Sequence, residues 1–438
     1  MSWALAGLGL GSSLFLLFAI GMPVTLAFFG VNLAGAWVFL GGEAGLEQLV
    51  RNTGVAVNSF ALLPIPLFVM MGEILFHTGV AYRSINAIDR LLQRVPARLA
   101  VVSLAGGTVF AALSGSSIAN TALLGGTLSP DMLRRGYSPT LSFGPVMAVG
   151  GIAVLIPPSA LAVMLGSLSG ISISKLLIGG IVPGLLMSLG FLLYILAICW
   201  LWPNVAPRER TSSEGGFRER YWPFIRDVMP LSLIFVAVIG SMLSGLATPT
   251  EASALGAVAS LVATACYGAL SLKTLKTSLL ETAKVSVSIL FIIAASTTFS
   301  QILSFSGVTT GVTEVIGNLR LSPDMLVLAM LGLLLLLGCV IDQVSMMLVT
   351  LPFFMPLATA ANIDTIWLGL MMLVAIEIGL LTPPFGILLM VMQGAAPRGT
   401  PLSQIYRAAF PFIVIEIAVL GLMFAWPAVV NWLPGLLD

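Results

Sequence analysis

Charge is scarce in this sequence. Lys, Arg, Asp and Glu together make up 8% of its 438 residues, where a soluble domain carries about 25%, so a water-facing surface of ordinary size cannot be built from it. Histidine occurs once, as His77. With no HExxH run and no paired aspartates either, the chemistry of an intramembrane enzyme is missing. The three cysteines, Cys199, Cys266 and Cys339, stand singly in apolar surroundings without a CxxC pair, so neither a disulfide framework nor a metal centre is indicated. The net charge of +1 marks out no partner, and no nucleic-acid partner is expected. Residues 2–21 are apolar but lack a basic leading region and a small-residue cleavage signature, and they read as a span instead of a signal peptide.

What is present is apolar length. Hydrophobic residues make up 58% of the chain and the mean hydropathy is +1.08, which defines an all-α polytopic membrane protein. The spans fall at about 2–21, 23–41, 60–79, 97–130, 139–168 and 174–202 in a first half, 1–202. A polar cytoplasmic linker covers 203–227. The second half, 228–438, carries spans at about 228–247, 249–270, 285–306, 323–355, 364–396 and 405–432.

The chain is organised around Leu155-Ile156-Pro157-Pro158-Ser159 and its echo Leu381-Thr382-Pro383-Pro384-Phe385. Two adjacent prolines remove two amide donors and bar the helical conformation from the residue before each, so a membrane helix must open there. An opened backbone is tolerated in a bilayer only where protein or a water-filled cavity satisfies it. Pro23, Pro130, Pro157 and Pro158 recur 226 positions later as Pro249, Pro356, Pro383 and Pro384, and Gly30 recurs as Gly256. Roughly 0.7 such proline coincidences are expected by chance, so the four argue for an internal repeat. A local echo at offset 228 sets Ile74 to Val80 beside Ile302 to Val308.

Basic residues decide the sense of the repeat. Stretches 97–130 and 323–355 are too interrupted by Gly and Ser for one straight span and read as re-entrant hairpins. With the N-terminus outside, all Lys and Arg except Arg51, Lys175 and Arg320 then fall on the cytoplasmic side, as the positive-inside rule requires. The halves are therefore expected to be inverted, each with a hairpin and a Pro-Pro-broken helix, and both termini periplasmic. Segments 43–59 and 271–284 place Leu46, Leu49, Val50 and Leu272, Leu275, Leu279 at helical spacing, predicting amphipathic arm helices in the interface plane.

The hairpin tips concentrate the polar groups. The first runs Ser114-Gly115-Ser116-Ser117-Ile118-Ala119-Asn120-Thr121, and the second Asp342-Gln343-Val344-Ser345. A tip offers free carbonyls at one helix end and free amides at the next, suited to a cation and an anion. Asp342 is costly at that depth and is expected to order the tip or neutralise a cation. Glu251, after Thr248-Pro249-Thr250, fits a capping box. Glu73 and His77 are four apart and can bond along one helix face. Glu377 can face the cavity or a scaffold contact, and Glu416 is expected to meet a neighbouring helix or polar group.

Several stretches together resemble the large membrane subunit of tripartite ATP-independent periplasmic (TRAP) transporters, the DctM-like permeases. They are Gly21-Met22-Pro23-Val24, Phe68-Val69-Met70-Met71-Gly72-Glu73, Ser114 to Ala119, Gly136-Tyr137, Ile156 to Ser159, Ala247 to Ala252 and Ile378 to Gly386. The resemblance spans essentially the full length. It implies an ion-transporter-superfamily-like elevator fold and sodium-coupled import of organic acids across the bacterial inner membrane. It also implies two partners, a small four-span membrane subunit and a periplasmic substrate-binding protein. One departure is Ala375, where the family often has asparagine.

On this reading two or more sodium ions couple transport, with no organic cofactor. Site one is expected among Ser114, Ser116, Ser117, Asn120, Gly151 and Pro157, and site two among Asp342, Gln343, Ser345, Gly379 and Thr382. Substrate contacts are expected from Ser116, Asn120, Ser159, Asp342, Thr382 and Pro383. With every arginine in a loop or at a helix end, helix N-termini must do most of the carboxylate binding. The runner-up is a stand-alone sodium/carboxylate symporter of two-hairpin fold; a channel would favour a ring of like residues over two asymmetric tips.

Overall fold

The computed structural model describes residues 2–93, 95–114, 116–207 and 217–437, and among them there are helices but no strands. In the first half α1 (Trp3–Ala19), α2 (Val24–Phe39), α3 (Glu43–Val57), α4 (Pro64–His77) and α5 (Val80–Leu91) are followed by α6 (Arg98–Ser114), α7 (Ser117–Arg134), α8 (Pro139–Leu155), α9 (Ala160–Ser169), α10 (Ile173–Gly179) and α11 (Ile181–Leu201). After α12 (Phe217–Asp227) come α13 (Met229–Leu243), α14 (Pro249–Cys266), α15 (Leu272–Phe305), α16 (Val308–Asn318), α17 (Pro323–Gly338), α18 (Gln343–Ala360), α19 (Thr365–Leu381), α20 (Ile387–Ala395), α21 (Leu402–Ala425) and α22 (Ala428–Asn431).

Among the described residues six helical segments are long and apolar enough to cross a bilayer, and the bent pair α8 and α9, 42° apart, can serve as a seventh. The protein is thus a multi-pass membrane protein. Its helix boundaries follow local chemistry. Ser138 accepts from Leu141 N at 3.4 Å and Pro139 occupies the first helical position of α8, a favoured start. The helix stops at Leu155 because Pro157 forces Ile156 out of the helical region, to ψ 121°. The same happens before Pro383, where Thr382 has ψ 127° and α19 ends. Both Pro-Pro peptide bonds are cis. Gly79 and Gly307, paired by the offset-228 echo, both adopt left-handed φ (74° and 76°) as they turn the chain into α5 and α16, a conformation glycine reaches without a Cβ penalty.

Helices α8 and α19 form the centre, with every residue of 141–155 and 367–381 buried. Helices α6, α7, α11 and α21 pack on α8, and α17 and α21 on α19. A smaller apolar cluster is built by α1, α2, α3, the end of α15 and the start of α16 around Phe28, Phe299 and Ile302, and Leu348 of α18 joins it. Asn32 locks it, with Nδ2 donating to Ala295 O at 2.7 Å in a buried setting. Each predicted hairpin is a packed helix pair, α6 with α7 and α17 with α18.

Two expectations change. The first arm stands alone as α3, but 271–284 is no separate element: it is the start of α15, a continuous helix of 34 residues. Ser271 caps it and no proline or glycine interrupts 272–305, so nothing forces the break that Pro64 and Pro66 favour in the first half. At 1.5 Å per residue it is about 51 Å long, well beyond the roughly 30 Å of bilayer hydrocarbon. The linker, likewise, is partly helical. Helix α12 packs on α5, and the Arg220 guanidinium donates to Leu91 O at 2.8 and 3.1 Å. Residues 208–216, with the predicted cytoplasmic Arg208 and Arg210, lie outside the described residues, as does Arg94.

Candidate functional site

Both hairpin tips reach one cavity of about 280 Å³. Ser116 and Ala119 line it from the first tip, Gln343 and Val344 from the second. Helix α9 contributes Ala160, Leu161 and Met164, and α4 contributes Val69, Gly72, Glu73 and Phe76. Among these residues the lining has one carboxylate, Glu73, and no Lys, Arg or His. Glu73 Oε2 is 3.1 Å from His77 Nε2, the helix-face pair expected from their spacing. Ser278 Oγ of α15 donates to Glu73 O at 3.1 Å, fixing that end of α4.

Tip one is described without Gly115 and without the Ser114 side chain. Ser116 caps α7, its hydroxyl accepting from Ala119 N at 3.2 Å. Ser117 is buried and its Oγ donates to Gly150 O of α8 at 3.3 Å. Asn120 is buried too; its Nδ2 donates to Gly107 O at 3.4 Å while Oδ1 has no hydrogen-bond partner. The α8 residue opposite the tip is Gly150, where a Cβ would lie 3.0 Å from Ser117 Cβ, whereas Gly151 turns that position to Glu416 and Met187. This follows from the 100° that separates consecutive residues on a helix.

Tip two is organised by charge. Asp342 Oδ2 accepts from Val344 N at 3.0 Å and from Ser345 N at 3.2 Å, and Ser345 Oγ donates to Oδ1. Of the two roles open to Asp342, ordering the tip is the one this geometry performs. Gln343 turns inward instead, its Nε2 donating to Glu377 Oε2 of α19. Gly379 presses on the hairpin itself: a Cβ there would lie 2.6 Å from Gly338 Cα, so only glycine allows α17 and α19 to approach this closely.

The remaining site residues bond within their own turns. Ser159 is buried and caps α9, accepting from Ala162 N at 3.2 Å. Thr382 Oγ1 donates to Ile378 O at 2.7 Å. Pro157 is buried, while Pro383 is exposed. The structure thus gathers Ser116 with Gln343, Ser117 with α8, and Gly379 with the first arm of tip two.

The sequence leaves Glu377 undecided, and it offers the carbonyls around Gly150 to Pro157 for a cation without linking Gly150 to Glu377. Glu377 is 1% exposed, accepts from Gln343 and lies against Gly150; its depth in an apolar span is the signal for it. Glu416, fully buried on α21, meets the neighbouring helix α8 at Gly151, and neither carboxylate oxygen has a hydrogen-bond partner. Glu251 completes the expected capping box, Oε2 accepting from Thr248 N at 2.8 Å and its own N–H reaching Thr248 Oγ1 at 3.3 Å.

Apolar spans, two helices broken at paired prolines, and two hairpin tips converging on one largely apolar cavity that Glu73, Ser116 and Gln343 make polar in places define a membrane transport permease. The sequence profile of the tripartite ATP-independent periplasmic transporter DctM component matches residues 12–429, and the chain belongs to this family. A putative TRAP transporter large permease protein of Haemophilus influenzae is 32% identical, over 88% of this chain and 96% of its own length. The C4-dicarboxylate TRAP transporter large permease protein DctM of Pseudomonas aeruginosa is 33% identical, over 92% and 93%. Among solved structures, the YdaH transporter of Alcanivorax borkumensis superposes with a TM-score of 0.63 at 15% identity, covering 89% of this chain and 90% of its own, a likeness of fold. As a TRAP large permease the chain is a transport subunit and not an enzyme. It is part of a binding-protein-dependent secondary transporter that works with a small membrane subunit and a periplasmic binding protein.

Proposed function

We propose that this permease imports organic acids across the bacterial inner membrane in symport with sodium, carrying them in an elevator motion. The observation that carries the reading is the cavity shared by Ser116 and Gln343. An anion entering it meets the amide ends of α7 and α9, which favour negative charge, whereas the end of α18 already carries the Asp342 carboxylate. The anion also meets Glu73 and no Lys, Arg or His among the described lining residues. A carboxylate substrate therefore needs a cation bound with it, and shared charge makes the two binding events favour each other. Sodium takes oxygen ligands, which the hydroxyls of Ser116, Ser117 and Ser345 and the carbonyls near the two breaks supply.

The matching order of breaks and hairpins in the two halves supports a repeat, and the placement of Lys and Arg supports its inversion with both termini periplasmic. The core around α8 and α19 would be the moving body, and the cluster around α2 and α15 part of the fixed scaffold. The partners are the binding protein and a small subunit of four spans, and a C4-dicarboxylate, which the Pseudomonas relative's name gives as its substrate class, is the first acid to try.

The test is uptake of labelled C4-dicarboxylates and other small acids into liposomes holding the chain with its small subunit. Uptake is expected only with the binding protein and a sodium gradient together. Uptake that ignores sodium overturns the coupling; uptake with sodium but no binding protein points to a stand-alone symporter. Loss or change of sodium dependence in Ser116→Ala or Asp342→Ala is expected, and unchanged dependence in both removes the two tips as cation sites.

A further inference from the structure

The two hairpins meet at one buried carboxylate that belongs to neither. Glu377 sits on α19, accepts from Gln343 at the first position of α18, and packs its Oε1 against Gly150 so closely that a Cβ there would overlap it. Ser117, the first residue of α7, has its hydroxyl between this carboxylate and Gly150 O. With that proton directed at the carbonyl, Oε1 is left without a hydrogen bond. No Lys, Arg or His among the described residues pairs with Glu377, so its one donor is the neutral Gln343 amide of tip two, while tip one meets it by the packing of Ser117 and Gly150 against Oε1.

We propose that Glu377 is a positioning residue that ties the tips of both hairpins to α19, so that the two tips become ordered together. A buried carboxylate is costly to leave without donors. Losing Gln343 frees the carboxylate to rotate, and Ser117 and Gly150 then lose the surface they pack on. Disorder at one tip therefore spreads to the other through a side chain that is part of neither hairpin. Given the transport reading, its consequence is that ligands bound at the two tips are coupled in free energy.

The experiment is hydrogen exchange on the full chain with its small subunit in lipid nanodiscs, first without ligand. Gln343→Leu lies in hairpin two, and its diagnostic effect is read in hairpin one. Exchange across 116–124 is expected to rise about tenfold, the scale of one charged hydrogen bond, with α2 and α14 unchanged. Glu377→Gln is expected to raise exchange at both tips. A rise confined to α18, or a uniform rise in all helices, overturns the tie. Should Glu377→Gln fail to fold, Gln343→Leu decides alone. A parallel titration with sodium chloride against choline chloride asks whether sodium protects both tips at one midpoint. A wild-type chain that ignores sodium defeats the coupling reading and leaves the tie to be judged on the ligand-free data.

Discussion

The two Pro-Pro breaks share a sequence pattern and differ in surroundings. Residues 151–159 are all buried, and the end of α8 is closed off by the junction of α10 and α11, where Gly180 packs on Leu155 O and Gly184 on Ile156. In the second break Thr382 is half-buried, Pro383 and Pro384 are exposed, and Phe385 is 58% exposed. Tyr406 reaches across it, its hydroxyl donating to Pro384 O at 2.6 Å. Proline fixes where a helix opens; the neighbours decide whether protein or the surroundings satisfy what has been opened. The tips divide in a related way, one capped by the neutral hydroxyl of Ser116 and the other by the carboxylate of Asp342.

The strongest way to break this contrast is Gly180→Ala. The new methyl collides with the Leu155 carbonyl, a backbone atom that cannot step aside. Destabilisation of about 3 kcal/mol or more is expected, read as a fall in the midpoint of thermal unfolding in detergent. A midpoint like that of wild type would mean the closure of break one is loose.

Next comes a matched pair at the breaks. Ile156→Ala should cost about 2 kcal/mol, because a cavity opens among close-packed helices. Phe385→Ala should stay within about 0.5 kcal/mol. Chemical denaturation of both variants side by side checks the difference, and equal losses would mean that the second break is covered too.

At the tips, Asp342→Ala is expected to cost about 1.5 kcal/mol and Ser116→Ala about 0.7 kcal/mol, within the range for lost N-caps. Limited proteolysis at each tip tests the order, which reversed values would overturn. The smallest effect expected is that of Tyr406→Phe. It removes one partly exposed hydrogen bond and should cost about 0.5 kcal/mol, with any local change confined to the backbone of 382–386 in hydrogen exchange.

Much of this architecture could be read before any coordinates. The breaks were legible because proline acts on its own backbone and on the residue before it, and Ile156 and Thr382 behave as that rule requires. The Glu251 cap and the Glu73–His77 pair were legible for the same reason, since both interactions are closed within one helical turn. Gln343 and Glu377 were legible only as separate polar residues. They lie 34 positions apart, and nothing local says that one donates to the other. Likewise Gly150 and Gly151 look alike in the sequence, and only the packing of α19 and α21 on α8 gives one to Glu377 and the other to Glu416. The leucine spacing of 271–284 alone predicts a free amphipathic helix, while the absence of any helix breaker over 272–305 carries the deciding information.

The unbroken α15 has a mechanical consequence. In the first half, the stretch from α3 to α4 passes through Asn58 and a short 3-10 turn at Phe60–Leu62 before Pro64, and so it is jointed. In the second half the equivalent joint is missing, and Leu272 and Phe305 are opposite ends of one rod. One unbroken helix therefore joins the end that bears Lys273, Lys276 and Lys284 to the contacts with Asn32 and Phe28 of α2. Arm and span are two pieces in the first half and one piece in the second.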